Sequence, residues 1–251
     1  MIGKTNSVIV SGGGGNTLKT ILDSTRQAKY LFDGYKGTSV DDLIQPNDTE
    51  NVTDVNTMFG NCGFIETIPL LNTSKVTNMT GMFRNCGNLT TVPLLDTGNV
   101  TNMSNMFAYC SHISVPQFNT GNVTNMMNMF DSCGFIETIP LLNTSKVTNM
   151  QGMFSYCSRL NSVPALNVDK VTNMRYMFNG CKNLKSILMT NISTDLIISA
   201  STKFERTDLV TILNNLKTVT SSKTLTMGAD NLAKLTDEDK AIATNKGWTL
   251  A

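Results

Sequence analysis

The sequence has almost no net charge, a single histidine and no long hydrophobic run. Its 20 Lys and Arg residues nearly balance its 19 Asp and Glu residues, which gives a formal charge of +1. The strong positive field that bulk binding to nucleic acid or an anionic membrane requires is therefore absent. No stretch approaches the roughly 18 consecutive apolar residues of a membrane-spanning helix. We therefore expect no nucleic-acid partner and no membrane insertion.

The N-terminus also lacks the charged region followed by an apolar stretch that marks a secretory signal. Charged residues make up only 16% of the chain, against about 25% in a typical globular domain. The 29 asparagines and 34 threonines predict a polar but uncharged surface instead. This composition is unlike that of a typical cytosolic enzyme, and we expect no enzymatic activity. If the protein works outside a cell, we expect something other than a signal peptide to deliver it.

The six cysteines repeat in a fixed register and define internal units. They recur with a period of roughly 24 residues, and only the interval from Cys110 to Cys133 is shorter, by one. Each cysteine follows a Met-Phe pair, and the unit reads VTNMxxMFxxCxxLxxVPxL. Residues 62–79 are identical to residues 133–150, three units later, which indicates duplication of a three-unit block. The repeated positions are Cys62, Cys86, Cys110, Cys133, Cys157 and Cys181.

The first half of each unit has the apolar spacing of a helix. In one unit the apolar residues are Val76, Met79, Met82, Phe83 and Cys86, which fall within an arc of roughly 120° at helical geometry. This pattern predicts one helix in each unit, with the cysteine thiol near the middle of the buried face.

The second half of each unit favours a short extended segment. Pro93 prevents the helix from continuing, and the surrounding residues are rich in β-branched side chains and threonine. One helix and one short strand cannot bury their apolar faces within about 24 residues, so neighbouring units must stack. We therefore predict an α/β fold: a leucine-rich-repeat-like solenoid with one short strand and one helix per 23–24-residue coil, capped at both ends.

Four regions follow from this pattern. They are an N-terminal arm or linker over residues 1–16, an N-terminal cap over 17–50, a six-unit solenoid over 51–190 and C-terminal capping coils over 191–251. Within the arm we expect a strand over residues 5–10 and a flexible glycine break over 12–15. A helix that uses apolar residues between Leu18 and Phe32 is expected to cap the first repeat.

The C-terminal coils carry their own helix and strand signals. Thr207 is a candidate N-cap for a helix with apolar residues at the i, i+3, i+4 and i+7 positions. Thr236 and Asp239 approximate a capping box, Gly247 suits a helix C-terminus, and residues 248–250 predict a final strand. We therefore expect degenerate coils to close the solenoid.

The repeat units resemble BspA-type leucine-rich repeats of bacterial surface and phage proteins. The resemblance covers about residues 51–190, and residues 35–44 and the tail from Leu209 to Leu250 resemble flanks found in phage-encoded members. It implies a non-enzymatic, adhesive or structural role on a virion or a bacterial surface.

The cysteines are expected to form a core ladder of buried free thiols. Each occupies the same point of its own coil, so neighbouring side chains stack in parallel without facing one another. Disulfides and metal ligation remain alternatives, although the sequence has neither a CxxC motif nor a histidine cluster. We predict no metal site and no cofactor.

Ligand contact is expected where the chemistry varies between coils while the core residues stay fixed. His112 lies in such a variable position, two residues after a cysteine, and we interpret it as a surface residue rather than a catalytic one. Asn78 and its counterparts recur in register, which favours a side-chain ladder or a capping role. The candidate binding residues are Phe64, Tyr109, His112, Phe135, Tyr156 and Arg159.

These observations lead to a hypothesis about function. We expect a phage virion protein, such as a tail, baseplate or head fibre or a decoration protein, that displays the solenoid for binding a host-surface glycan or protein. The N-terminal segment would dock to other virion proteins, and the sequence leaves a homo-oligomer open. The alternative is a bacterial cell-surface adhesin of the BspA type.

Overall fold

The computed structural model describes residues 18–251. The predicted N-terminal strand, glycine break and docking arm therefore lie outside the described residues. The elements are helix α1 (Leu18–Thr25), a 3-10 helix (Pro46–Thr49), strands β1 (Ser162–Val163), β2 (Ser186–Ile187) and β3 (Leu196–Ile197), helix α2 (Arg206–Asn214), strand β4 (Lys223–Thr226), helices α3 (Ala229–Leu232) and α4 (Asp237–Thr244), and strand β5 (Trp248–Leu250). The expected mixture of short helices and short strands is confirmed.

Seven nine-residue segments stack in parallel and form one face of the molecule. In segments 1 to 6 the second, fourth, sixth and eighth N–H groups donate to alternate carbonyls of the next segment; Phe59 N–H, for example, reaches Met82 O at 2.9 Å. An isolated parallel bridge joins the first residues of neighbouring segments. We number these segments 1 to 7; they are residues 27–35, 54–62, 78–86, 102–110, 125–133, 149–157 and 173–181.

The helix predicted in each repeat unit is wrong, because turns take its place. The fourth and eighth residues of every segment have positive φ, as at Thr57 (52°) and Asn61 (57°), and an α-helix does not tolerate this conformation. Alternate N–H groups point to the next segment instead of to the i−4 carbonyl. The apolar spacing misled the prediction, since these turns bury the same residues that a helix would bury.

A column of phenylalanine rings forms the centre of the core. The sixth residue of every segment is phenylalanine, and successive rings stack with centroids 5.4–5.9 Å apart. The column begins at Phe32, in a segment that has no cysteine. Burying such rings supplies much of the hydrophobic stabilisation that one isolated unit cannot obtain. The rings belong to Phe32, Phe59, Phe83, Phe107, Phe130, Phe154 and Phe178.

The opposite face of the array holds little regular strand. β1 and β2 pair in parallel, with Ser162 opposite Ser186, and earlier units contribute only an isolated bridge between Thr91 and Ser114. Buried threonine hydroxyls join these units: Thr120 Oγ1, for example, donates to Asn143 O at 3.0 Å. The predicted strand in every unit is therefore reduced to two-residue strands at the C-terminal end of the array.

The C-terminal residues continue the parallel stacking with a three-stranded sheet in the order β3-β4-β5. Glu205, not Thr207, is the N-cap of α2. The capping box of Thr236 and Asp239 and the final strand are confirmed. Asp239 also accepts a bidentate hydrogen bond from Arg206, which ties α4 to α2.

Candidate functional site

The six cysteine side chains are buried, free and bonded to the neighbouring backbone. Each thiol donates to the carbonyl of the phenylalanine in the preceding segment, as from Cys86 Sγ to Phe59 O at 3.0 Å. Burial raises the pKa of Cys62 to about 11 and the pKa of Cys110 and Cys181 to about 12. These thiols stay protonated at neutral pH, so they are structural groups and poor nucleophiles.

His112, Phe135 and Arg159 form a continuous column on the surface. Each lies two residues after the cysteine of its own segment, so stacking of segments 4, 5 and 6 brings the three side chains together. The His112 and Phe135 ring centroids are 4.3 Å apart, and the Arg159 guanidinium carbon lies 4.3 Å from the Phe135 centroid. We call these three residues the His-Phe-Arg column.

The column leaves polar groups available to a ligand. Phe135 is 46% exposed, and His112 and Arg159 are also exposed. In residues 18–251, Arg159 has no acidic partner and no side-chain hydrogen bond, so its guanidinium is held only by the Phe135 ring. An arginine that is oriented by stacking keeps its N–H donors for a carboxylate, phosphate or other acceptor.

The other predicted binding residues lie apart from this column. Phe64 is in the same slot three segments before Phe135, with Lys36 5.9 Å from its ring centroid. Tyr109 occupies a different slot, immediately before a cysteine. The guanidinium carbon of Arg84 lies 5.7 Å from the Tyr109 ring centroid.

Tyr156 lies over Gly180 in that same slot. A Cβ atom added to Gly180 would lie 2.8 Å from the Tyr156 ring. The six candidates thus occupy two slots, and three of them form the His-Phe-Arg column.

Two surface features were missed by the sequence prediction. Arg175 lies 4.6 Å from the ring centroid of Tyr176, which is exposed near the end of the array. Leu70, Leu94 and Leu141 are exposed one residue after the repeat proline and were not among the candidate binding residues. Two signals in the sequence could have identified these features. One is the adjacent pair of an arginine and a tyrosine, and the other is the replacement of leucine after the repeat proline in other units, as at Gln117.

A recess lies beside the His-Phe-Arg column. The one unit that is shortened by a single residue precedes Cys133, and in it Val115 is only partly buried, whereas its counterpart Val92 is buried. An open cavity of 410 Å³ at this place is lined by residues 113–115 and 135–140. Phe135 thus contributes to both the column and the recess.

The asparagines in register combine a local cap with a backbone bridge. Asn78 Oδ1 accepts the N–H of Thr80 at 3.1 Å, and Asn102 accepts the N–H of Ser104 in the same way. The first residue of each segment is also the point at which neighbouring segments form a parallel bridge. These asparagine side chains therefore shape the turns of the array, as the sequence predicted.

Within residues 18–251, no cluster of three or more His, Cys, Asp or Glu side chains is placed to hold a metal ion. No helix in this part of the chain has the length and apolar character needed to cross a membrane.

Comparison with known proteins identifies a family but not an activity. No curated protein and no solved structure matches the chain. Residues 26–116 and residues 111–211 each match one family, in two slightly overlapping stretches that together cover most of the chain. The first match begins at the segment that carries Phe32, where the stacked array also begins. The chain therefore belongs to the DUF285 family, described as "Mycoplasma protein of unknown function".

Proposed function

We propose that this protein is a non-enzymatic scaffold: a BspA-type leucine-rich-repeat solenoid on a phage virion that binds a host cell surface. The His-Phe-Arg column is the observation that carries the proposal. It presents an exposed ring, and a guanidinium that has no acidic partner in the described part of the chain, beside a 410 Å³ recess. Aromatic and arginine side chains are the usual anchors of protein interfaces.

The virion assignment rests on the resemblance of the repeats and flanks to phage-encoded proteins. A bacterial cell-surface adhesin of the BspA type is the second candidate, and the naming of Mycoplasma in the family description favours it. Mass spectrometry of purified virions separates the two. Finding the polypeptide in particles supports the virion assignment, and finding it only in the bacterial cell envelope overturns it.

The binding role is tested with fluorescently labelled protein and whole bacterial cells. We expect Phe135→Ala combined with Arg159→Ala to weaken binding by at least about tenfold, as loss of central anchors does in other interfaces. Asn88→Ala is the matched control, because Asn88 occupies the same slot outside the column. Equal binding by wild type and the double variant, with unchanged melting temperatures, would remove the column from the proposal.

A further inference from the structure

The hydrogen bonding that joins the stacked segments stops at segment 7. In segments 1 to 6 the second, fourth, sixth and eighth N–H groups all donate to the following segment. The same groups of segment 7 find no acceptor among the described residues; they belong to Met174, Tyr176, Phe178 and Gly180. An unpaired row of backbone donors at regular spacing is a template for a further peptide segment.

The sequence explains why the pairing stops here. A segment one repeat period after Asn173 would begin near Ile197, but the Val-Thr-Asn-Met lettering does not recur there. β3 occupies this part of the chain and pairs with β4 on one side only. The described residues contain no bridge between Asn173 and β3, whereas a bridge joins every earlier pair of segments.

Two cavities lie at this interruption. They have volumes of 340 and 290 Å³, and Ile197 lines both. We call the two together the junction groove. It is lined by Arg175, Thr194 and Lys223 in the first cavity and by Tyr176, Phe178 and Ser199 in the second.

The groove is lined by a buried hydroxyl without a hydrogen-bond partner among the described residues and by charged side chains. Thr194 Oγ1 is buried without a hydrogen-bond partner in the described part of the chain. Arg175 and Lys223 have no ion pair within residues 18–251. Asp195 also lines the first cavity, and its carboxylate accepts the N–H of Thr224. Buried donors and acceptors left unpaired are costly, so a ligand that pairs them is stabilised. Two cations against one carboxylate in this cavity favour an acidic side chain on that ligand.

We propose that the junction groove binds one peptide segment of a partner protein, which takes the place of an eighth stacked segment. Its carbonyls accept from the four unpaired N–H groups of segment 7, and an acidic side chain at its third position lies beside Arg175. The groove has segment 7 on one side and residues 194–200 on the other. Every earlier segment finds its four acceptor carbonyls on one chain segment of the same length, so a single peptide segment matches the row of donors. This inference is independent of the proposed surface-binding function.

The probe is a capped nine-residue peptide that copies residues 149–157 with Gln151→Glu and Cys157→Ser. Segments with this lettering supply the acceptor carbonyls elsewhere in the array. Amide NMR of the full chain is the readout. Before peptide is added, we expect the four amides of segment 7 to exchange at least about a hundredfold faster than the corresponding amides of segment 6. With peptide, their resonances shift and their exchange slows.

Charge and shape variants make the test specific. A peptide with Lys instead of Glu at its third position should bind at least about tenfold more weakly, and Arg175→Glu in the protein should reverse this preference. Ile197→Trp should fill the groove and weaken binding of the Glu peptide by a similar factor. Leu94→Trp, at an exposed leucine on another part of the array, is the matched control and should leave binding unchanged.

Three results would overturn the proposal. The first is protection of the four amides before any peptide is added. The second is titration of the peptide without shifts at these amides, or with shifts that Ile197→Trp does not affect. The third is self-association, seen by sedimentation, that protects the same amides, because the occupant would then be a second copy.

Discussion

Cys133 Sγ donates a hydrogen bond to the backbone carbonyl of Phe107, 3.0 Å away, in the preceding segment. The same bond links each cysteine to the phenylalanine of the preceding segment, from Cys62 to Cys181. The thiol ladder and the ring column are therefore one structure, in which each cysteine fixes the distance between two backbones. This explains why the thiols are in register without forming disulfides.

Substitution of Cys133 tests this arrangement. Cys133→Ala removes one buried hydrogen bond and a small volume, and we expect it to lower the free energy of unfolding by about 1–2 kcal/mol. Cys133→Asp places a carboxyl group among apolar side chains and should cost more than about 4 kcal/mol. Urea unfolding followed by circular dichroism measures both, and equal stabilities would contradict burial of this position.

The raised thiol pKa values predict a loss of stability at alkaline pH. An unfolded cysteine ionises with a pKa of about 8.5, whereas Cys62 in the folded chain has a pKa of about 11. The unfolded state thus loses protons first, so the stabilising contribution is complete below about pH 8.5 and is lost as pH rises towards 11.

We expect the melting temperature to fall progressively over this alkaline range. A variant with all six cysteines replaced by alanine should be less stable at pH 7 but should show a flatter dependence on alkaline pH. Parallel curves for the two proteins would show that groups other than the thiols cause the alkaline loss.

Gly152 is expected to tolerate an added side chain poorly. Its φ is +60°, and an added Cβ atom would lie 2.1 Å from Asn128 Oδ1. Gly152→Ala should destabilise the chain by about 2 kcal/mol, because left-handed backbone strain adds to this clash.

Gly87→Ala is the control for Gly152→Ala. An added Cβ atom at Gly87 meets nothing within 4 Å, so this change should stay within about 0.5 kcal/mol. Thermal denaturation of the two variants compares them, and similar melting temperatures would exclude a special role for Gly152.

Threonine hydroxyls bond to carbonyls of neighbouring units at buried and at exposed positions. The buried bonds should contribute more to the free energy of unfolding than the exposed ones. Thr120 Oγ1 is buried and donates to Asn143 O, whereas Thr124 is exposed and donates to Thr101 O. Thr120→Val leaves that carbonyl without its donor and should cost about 1–2 kcal/mol. Thr124→Val should cost less than about 0.5 kcal/mol, because water replaces the lost bond. Denaturant titration measures the free energy of unfolding of both variants. Equal losses would show that the buried threonine bonds do not stabilise the array more than the exposed ones.

Much of the candidate surface could be predicted from the sequence. The register of the cysteines placed His112, Phe135 and Arg159 in one slot, and parallel stacking of units with a common period brings such a slot into contact. Phe64 lies in the same slot, but the next unit has Asn88 there, and the structure places Lys36 beside Phe64 instead. The junction groove could not be predicted either, since it arises from hydrogen bonds that are missing.

The sequence by itself determined the repeat, its period, the identity of the core residues and the burial of the thiols. These properties follow from the spacing of the apolar residues, because a helix and this series of turns bury the same sequence positions. Only the tertiary structure decided that the backbone forms turns and not helices, because that choice depends on which carbonyl each N–H group reaches. A segment such as 78–86 gives up its i−4 bonds since the next segment offers four acceptors at the right spacing. Without that neighbour the same residues have no reason to prefer this conformation.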